Sequence, residues 1–395
     1  MHGSEPRSAT SIRLPQADRS LETFRLSIPR GFPARAEGPM NRIAFSAAHV
    51  VAEPLGTADP WLTAAVDWDR TIAYREYLWD LGLGVAEAMD TAQRGMGLDW
   101  PTSLELIRRS VAAARPRGAL VFSGAGTDHL EPEAARTLDD VVRAYEEQVA
   151  AIEACGGRII LMASRALARI GRSAADYETV YSRILSQVKE PVILHWLGDM
   201  FDPALAGYWG APEVDTAMTT AVDIINAHAA KVDGIKISLL DKDKEIAMRR
   251  RLAPGVRMYT GDDFNYAELI EGDAHGHSDA LLGIFDAIAP AASSALVSLA
   301  AGDPAAFHAT LAPTVPLSRH IFRAPTRFYK TGVVFMAYLN GHQDHFAMVG
   351  GQESARSVLH LADIFRLADA AGLLRSPERA ASRMRSVLAT YGIDA

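Results

Sequence analysis

Between residues 41 and 300, short apolar segments that close in Gly, Ser, Asp or His alternate with amphipathic stretches about eight times. The apolar segments lie at 41–51, 85–92, 118–126, 158–164, 191–199, 234–238 and 256–263, and "AHGHSDA" (274–280) leads into the last. Strands that alternate with helices pair in parallel, because each crossover needs a dozen or more residues to return to the same edge. Eight such units in about 250 residues predict a closed (β/α)8 TIM barrel of the α/β class. The rival, an open doubly wound sheet, opens its first helix with a glycine-rich turn. The turn after "RIAFS" reads "AAHVVAEPLG" and lacks one. Residues 1–39 read as an irregular arm holding Pro6, Pro15, Pro29 and Pro33, with "LETFRLSI" as a short edge strand. Residues 40–300 make the barrel. Residues 301–395 read as a helical appendage, a lid or an interface.

Several function classes are disfavoured before any residue is singled out. The net charge of −8 gives no footprint for nucleic acid or an anionic membrane. No apolar run reaches the roughly 18–20 residues of a spanning helix. The first twenty residues lack the apolar core of a secretory signal. Cys155 is the sole cysteine, which excludes an internal disulfide and a thiolate metal cluster. A reducing cytoplasm is the compartment such a chain fits.

In a barrel, chemistry gathers where the strands end. The polar residues there are Ser46 and His49, Asp90 and Thr91, Ser123, Ser164 and Arg165, His195 and Asp199, Lys236 and Ser238, Thr260 with Asp262 and Asp263, then His275, His277 and Ser278. Lys236 stands out. It lies in "GIKIS" (234–238), flanked by Ile235 and Ile237. A buried ammonium is disfavoured, so such an amine loses its proton or finds a partner, and a neutral amine attacks carbonyl carbon. The plain alternative is a structural lysine paired with an acid such as Asp262.

The stretches "GIKIS", "GVRMYTGDD", "GDAHGHSDALLGIFDAIAP" and "RFYKTGVVFMAYLNG" resemble the dihydrodipicolinate synthase / N-acetylneuraminate lyase superfamily, class I aldolases on (β/α)8 barrels. "PVILHWLG" looks like the family's fifth strand, and "LGLGVAEAMDTAQRG" fills the place of its second-strand loop. The resemblance covers roughly residues 41 to 340 and implies a divergent branch. It makes Lys236 the imine-forming lysine of a lyase or aldolase-type enzyme that needs no cofactor. It also implies a homo-oligomer, dimer or tetramer.

Departures from the family pattern shape the expected substrate. His195 stands where the family has a proton-transferring tyrosine. Thr91 is kept, but Asp90 replaces a glycine in the loop that holds a substrate carboxylate. A carboxylate there repels a 2-oxo acid, so a neutral, sugar-derived keto compound is expected. Lys236 and His195 are the expected catalytic pair. Thr91, Asp90, Ser164, Arg165, Asp262 and His277 are the expected substrate contacts. One alternative is a metal-dependent aldolase or isomerase with a divalent ion on His195, Asp199, His275 and His277. Another is a catalytically lapsed barrel that binds a ligand.

Overall fold

The computed structural model describes residues 7–395, so an expectation about residues 1–6 lies outside the described residues. Among the described residues there are ten strands: β1 (Arg7–Pro15), β2 (Leu21–Ser27), β3 (Ala44–Ala47), β4 (Gly84–Glu87), β5 (Val121–Ala125), β6 (Arg158–Leu161), β7 (Val192–Leu197), β8 (Val232–Ser238), β9 (Arg257–Thr260) and β10 (Asp279–Leu282). Strands β3 to β10 close into a barrel in chain order, each parallel to the next, with β10 returning to β3. The expected TIM barrel is therefore the fold. Helices cover the outer face, so the strands are buried on both sides and read as unbroken apolar runs.

Side chains that alternate along the strands fill the interior in layers. Phe45, Ala86, Phe122, Ile160, Ile193, Tyr259 and Leu281 belong to one apolar cluster within it. Gly234 makes room in this layer: a Cβ there would meet the Tyr259 ring at 2.7 Å. Two residues further along β7 and β8, on the same face, come His195 and Lys236, which are register partners. The lysine thus stands directly above the apolar plug.

The arm is not irregular throughout. β1 and β2 form an antiparallel hairpin, with Ile12 opposite Phe24 and Leu14 opposite Glu22. Ile12, Leu14 and Leu26 are buried against the C-terminal helices. Pro15 sits at a strand end, and Pro29 and Pro33 lie beyond the hairpin, so none interrupts the pairing. An isolated hairpin is marginal, and this one gains its stability from the far end of the chain. There Asp369 accepts the Ser27 backbone N–H at 3.0 Å and Phe24 meets Phe365 edge-on. Helices Pro304–Leu311, Val315–Ile321, Tyr329–Asn340, Val358–Ala370 and Pro377–Thr390 make up the C-terminal region.

Candidate active site

All the barrel strands run the same way, so their C-terminal ends share one rim. A cleft of about 240 Å³ opens there, lined in part by Asp90, Arg94, Arg165, His195 and Asp202. Lys236 keeps 7% of its surface and stands beside His195 without itself lining the cleft. Burial pulls its pKa below the ordinary lysine value, against the opposing charges of Asp263 and Asp90. The sequence makes space for its stem with a glycine. A Cβ on Gly261 would lie 2.8 Å from Lys236 Cε and 2.4 Å from both the Ile237 carbonyl oxygen and Ser238 Oγ. Gly261→Ala is expected to lower stability by ~1–3 kcal/mol, read by urea denaturation, because the Ile237 carbonyl it would meet is backbone that cannot yield.

The lysine's neighbours divide into groups free to act and groups already engaged. His195 is buried, and burial together with the Lys236 charge pushes its pKa well below the ordinary value, so the imidazole is uncharged. Its Nε2 lies 3.5 Å from Ser238 Oγ. Asp263 is buried, and burial raises its pKa to about 7, with the Ile284 and Gly283 N–H groups and Lys236 opposing. One of its oxygens accepts the Ile284 N–H at 2.9 Å.

Asp262, by contrast, is taken up by its own turn. It accepts the Phe264 N–H at 2.9 Å, the Asn265 N–H at 3.0 Å and Asn265 Nδ2 at 2.8 Å. The carboxyl that acts on Lys236 is the adjacent one. One position along the chain after β9 decides which of the two faces inward, and the sequence does not mark it.

The other expected contacts are distributed as follows. Asp90 opens a short 3-10 turn on the cleft wall. Thr91 is buried, its Oγ1 2.8 Å from the Tyr329 hydroxyl. Ser164 caps helix Arg165–Ile170 by accepting the Leu167 N–H and bonds Thr127 at 2.6 Å, a positional role. Arg165 lines the cleft but is paired with Asp202 at 2.5 Å. Arg94 is held by Asp128, Gln148 and the Gly124 carbonyl.

His277 does not belong here, nor does His275. Both precede β10, because that strand begins only at Asp279 and "AHGHS" forms the turn leading into it. They stand at the opposite end of the barrel, where His277 feels Arg42, Arg249 and Arg257. They therefore cannot join His195 and Asp199 around one ion, and Asp199 is itself exposed. Among the described residues no group of three or more His, Cys, Asp or Glu side chains is arranged to hold a metal. Trp209 of "GYWG" is fully buried among Tyr177, Tyr181 and Trp196, a packing role.

Lys330 and Tyr329 were not marked by the strand pattern, because they arrive from helix Tyr329–Asn340. The available signal was a lysine in the first turn of a helix whose residues Tyr329–Leu339 are all buried.

The family model described as "Protein of unknown function (DUF993)" matches residues 12–393. No curated protein matches the chain. Among solved structures, the chain is similar to the chloride-inhibited dihydrodipicolinate synthase from Acinetobacter baumannii complexed with pyruvate. That match has 16% identity, 84% of this chain and 99% of that chain covered, and a TM-score of 0.63. It is similar to YagE, a prophage protein of the dihydrodipicolinic acid synthase family from E. coli K12 in complex with pyruvate, at 14% identity, 90% and 100% coverage and TM-score 0.62. Dihydrodipicolinate synthase DapA-2 from Bacillus anthracis matches at 17% identity, 75% and 88% coverage and TM-score 0.56. These likenesses show a common fold. No helix among the described residues is long and apolar enough to cross a membrane.

Proposed function

The chain belongs to the DUF993 family and shares the fold of the dihydrodipicolinate synthase structures, and on that premise we propose that it is a lyase of the aldolase type, forming a Schiff base at Lys236. The observation that carries this reading is the buried amine at the barrel mouth, with Asp263, whose pKa burial raises to about 7, and an uncharged His195 beside it. The neutral amine adds to a ketone or aldehyde carbon. Asp263, as the acid, gives a proton to the departing hydroxyl, and water leaves. The iminium then withdraws the electron pair of the neighbouring bond, so that bond breaks while His195 accepts a hydroxyl proton. Two of the solved relatives hold pyruvate, which suits a carbonyl ligand. Asp90, acting on the same lysine, disfavours a carboxylate next to the carbonyl, so a sugar-derived keto compound fits better than a 2-oxo acid. No cofactor is needed for these steps.

Borohydride reduction in the presence of pyruvate, dihydroxyacetone and a panel of keto sugars tests the proposal. A mass gain at Lys236 supports it. No gain with any probe leaves a ligand-binding barrel without this chemistry.

The pH dependence has a defined sign. The acid form of Asp263 is needed for dehydration and is lost above about pH 7, while the amine is increasingly protonated as pH falls. Trapping is therefore expected to follow a bell. Asp263→Asn should slow it by about 10²-fold and remove the alkaline limb near pH 7. The folded pKa of Asp263 lies above its unfolded value, so its contribution to stability is full below about pH 4 and lost as pH rises through about 7. The asparagine variant should accordingly gain stability relative to wild type at pH 8, measured by thermal melting.

A further inference from the structure

The mouth of the barrel holds a second buried amine. Lys330 is 5% exposed, and its Nζ donates to the Arg327 carbonyl at 3.0 Å and approaches Met96 Sδ at 3.5 Å. Its Nζ lies 4.7 Å from the centroid of the Tyr329 ring. Among the described residues no carboxylate lies within ion-pair distance of it. The Thr91–Tyr329 hydrogen bond ties the helix carrying it to the loop after β4.

The cleft arginines cannot serve as anion sites as they stand, because Arg94 is engaged by Asp128 and Arg165 by Asp202. Lys330 differs. Burial lowers its pKa to about 8, opposed by Asp90 and Asp202, so most of its charge is still present at neutral pH without an adjacent counter-ion. A buried, unpaired ammonium is unfavourable, and an arriving anion relieves it. Lys236 and Lys330 both feel Asp90, whereas Lys330 also feels Asp202 and Arg165 on the cleft wall. Lys330 therefore answers to charges on the cleft wall that Lys236 does not, and an anion held by Lys330 is held by a group other than the one that takes the carbonyl.

Resting on the proposed aldolase reading, we propose that Lys330 binds an anionic group of the substrate, a carboxylate or phosphate remote from the reacting carbonyl. Asp90 then excludes an anion beside the carbonyl while Lys330 selects one at the distal end. The substrate class becomes a keto compound that is neutral next to its carbonyl and anionic at its tail.

The test uses full-length Lys236→Ala protein, which cannot form the imine, titrated in a calorimeter with dihydroxyacetone phosphate, levulinate and dihydroxyacetone. At least one anionic ketone should bind roughly tenfold or more tightly than the neutral one, the increment of a charge-assisted hydrogen bond. Adding Lys330→Met should erase that margin, and Lys330→Arg should retain part of it while showing by thermal melting that the site tolerates substitution. Preference for the first probe identifies a phosphate tail, and preference for levulinate a carboxylate tail. No anionic preference, or a preference that survives Lys330→Met, overturns the proposal. Because imine formation is absent from this assay, a wild-type protein that traps no ketone would sink the aldolase reading while leaving a Lys330-dependent anion site in place.

Discussion

Lys236→Met is expected to abolish borohydride-dependent labelling completely, a loss of at least ~10³-fold in trapping rate, since no other amine takes over a covalent step. The substitution should leave the fold intact. Methionine matches the length of the lysine stem that Gly261 accommodates, and it removes a buried amine rather than creating a cavity. Thermal melting should therefore show a Tm equal to or above wild type. Mass spectrometry of the reduced protein, with any ketone that labels wild type, reads the chemistry. Retained labelling in the methionine variant would transfer the reaction to another residue, with Lys330 the first to examine.

Arg75→Met is expected to have the largest effect on stability, ~3–5 kcal/mol, because it strands a buried carboxylate. Arg75 and Glu87 are both fully buried, the arginine on helix Trp68–Asp80 and the glutamate at the end of β4. Arg75 Nε and Nη2 meet the two Glu87 oxygens at 2.9 and 2.8 Å. The Ala88 N–H and the Ser110 hydroxyl complete the carboxylate's shell. Arg75 also donates to the Thr71 and His49 carbonyls, so the guanidinium fastens the first barrel helix to the loop after β3. The midpoint of chemical denaturation measures the loss. The double variant Arg75→Met/Glu87→Leu should recover much of it, since no charge is then left unpaired. Additive losses in the two variants would show that the pair is not coupled.

The barrel was legible in the chain because strands buried on both faces contain almost nothing but apolar residues. For the same reason Lys236 was visible as the exception within β8. What escaped depends on single-residue register or on distant contacts. A one-residue shift after β9 turns Asp262 into a turn residue and Asp263 into the carboxyl acting on the lysine. The late start of β10 moved His275 and His277 to the opposite end. His342 is packed against Tyr74 and Tyr77, and burial lowers its pKa to about 3. No local pattern reports that packing. Lys330 and Thr91 are separated by most of the barrel in sequence, and only the folded helix brings them to one rim.

The N-terminal hairpin rests on the last two helices. Arg366 and Arg385 donate to the carbonyls of Pro15 and Ser11, and Thr10 bonds Glu378. During synthesis those strands emerge well before their docking surface. Residues 7–27 must therefore wait, undocked, until residues 358–390 have left the ribosome, and the contact between the two is among the last seams of this fold to close. A ribosome-stalled chain ending before Val358 would carry a complete barrel and an unanchored, protease-sensitive leading segment.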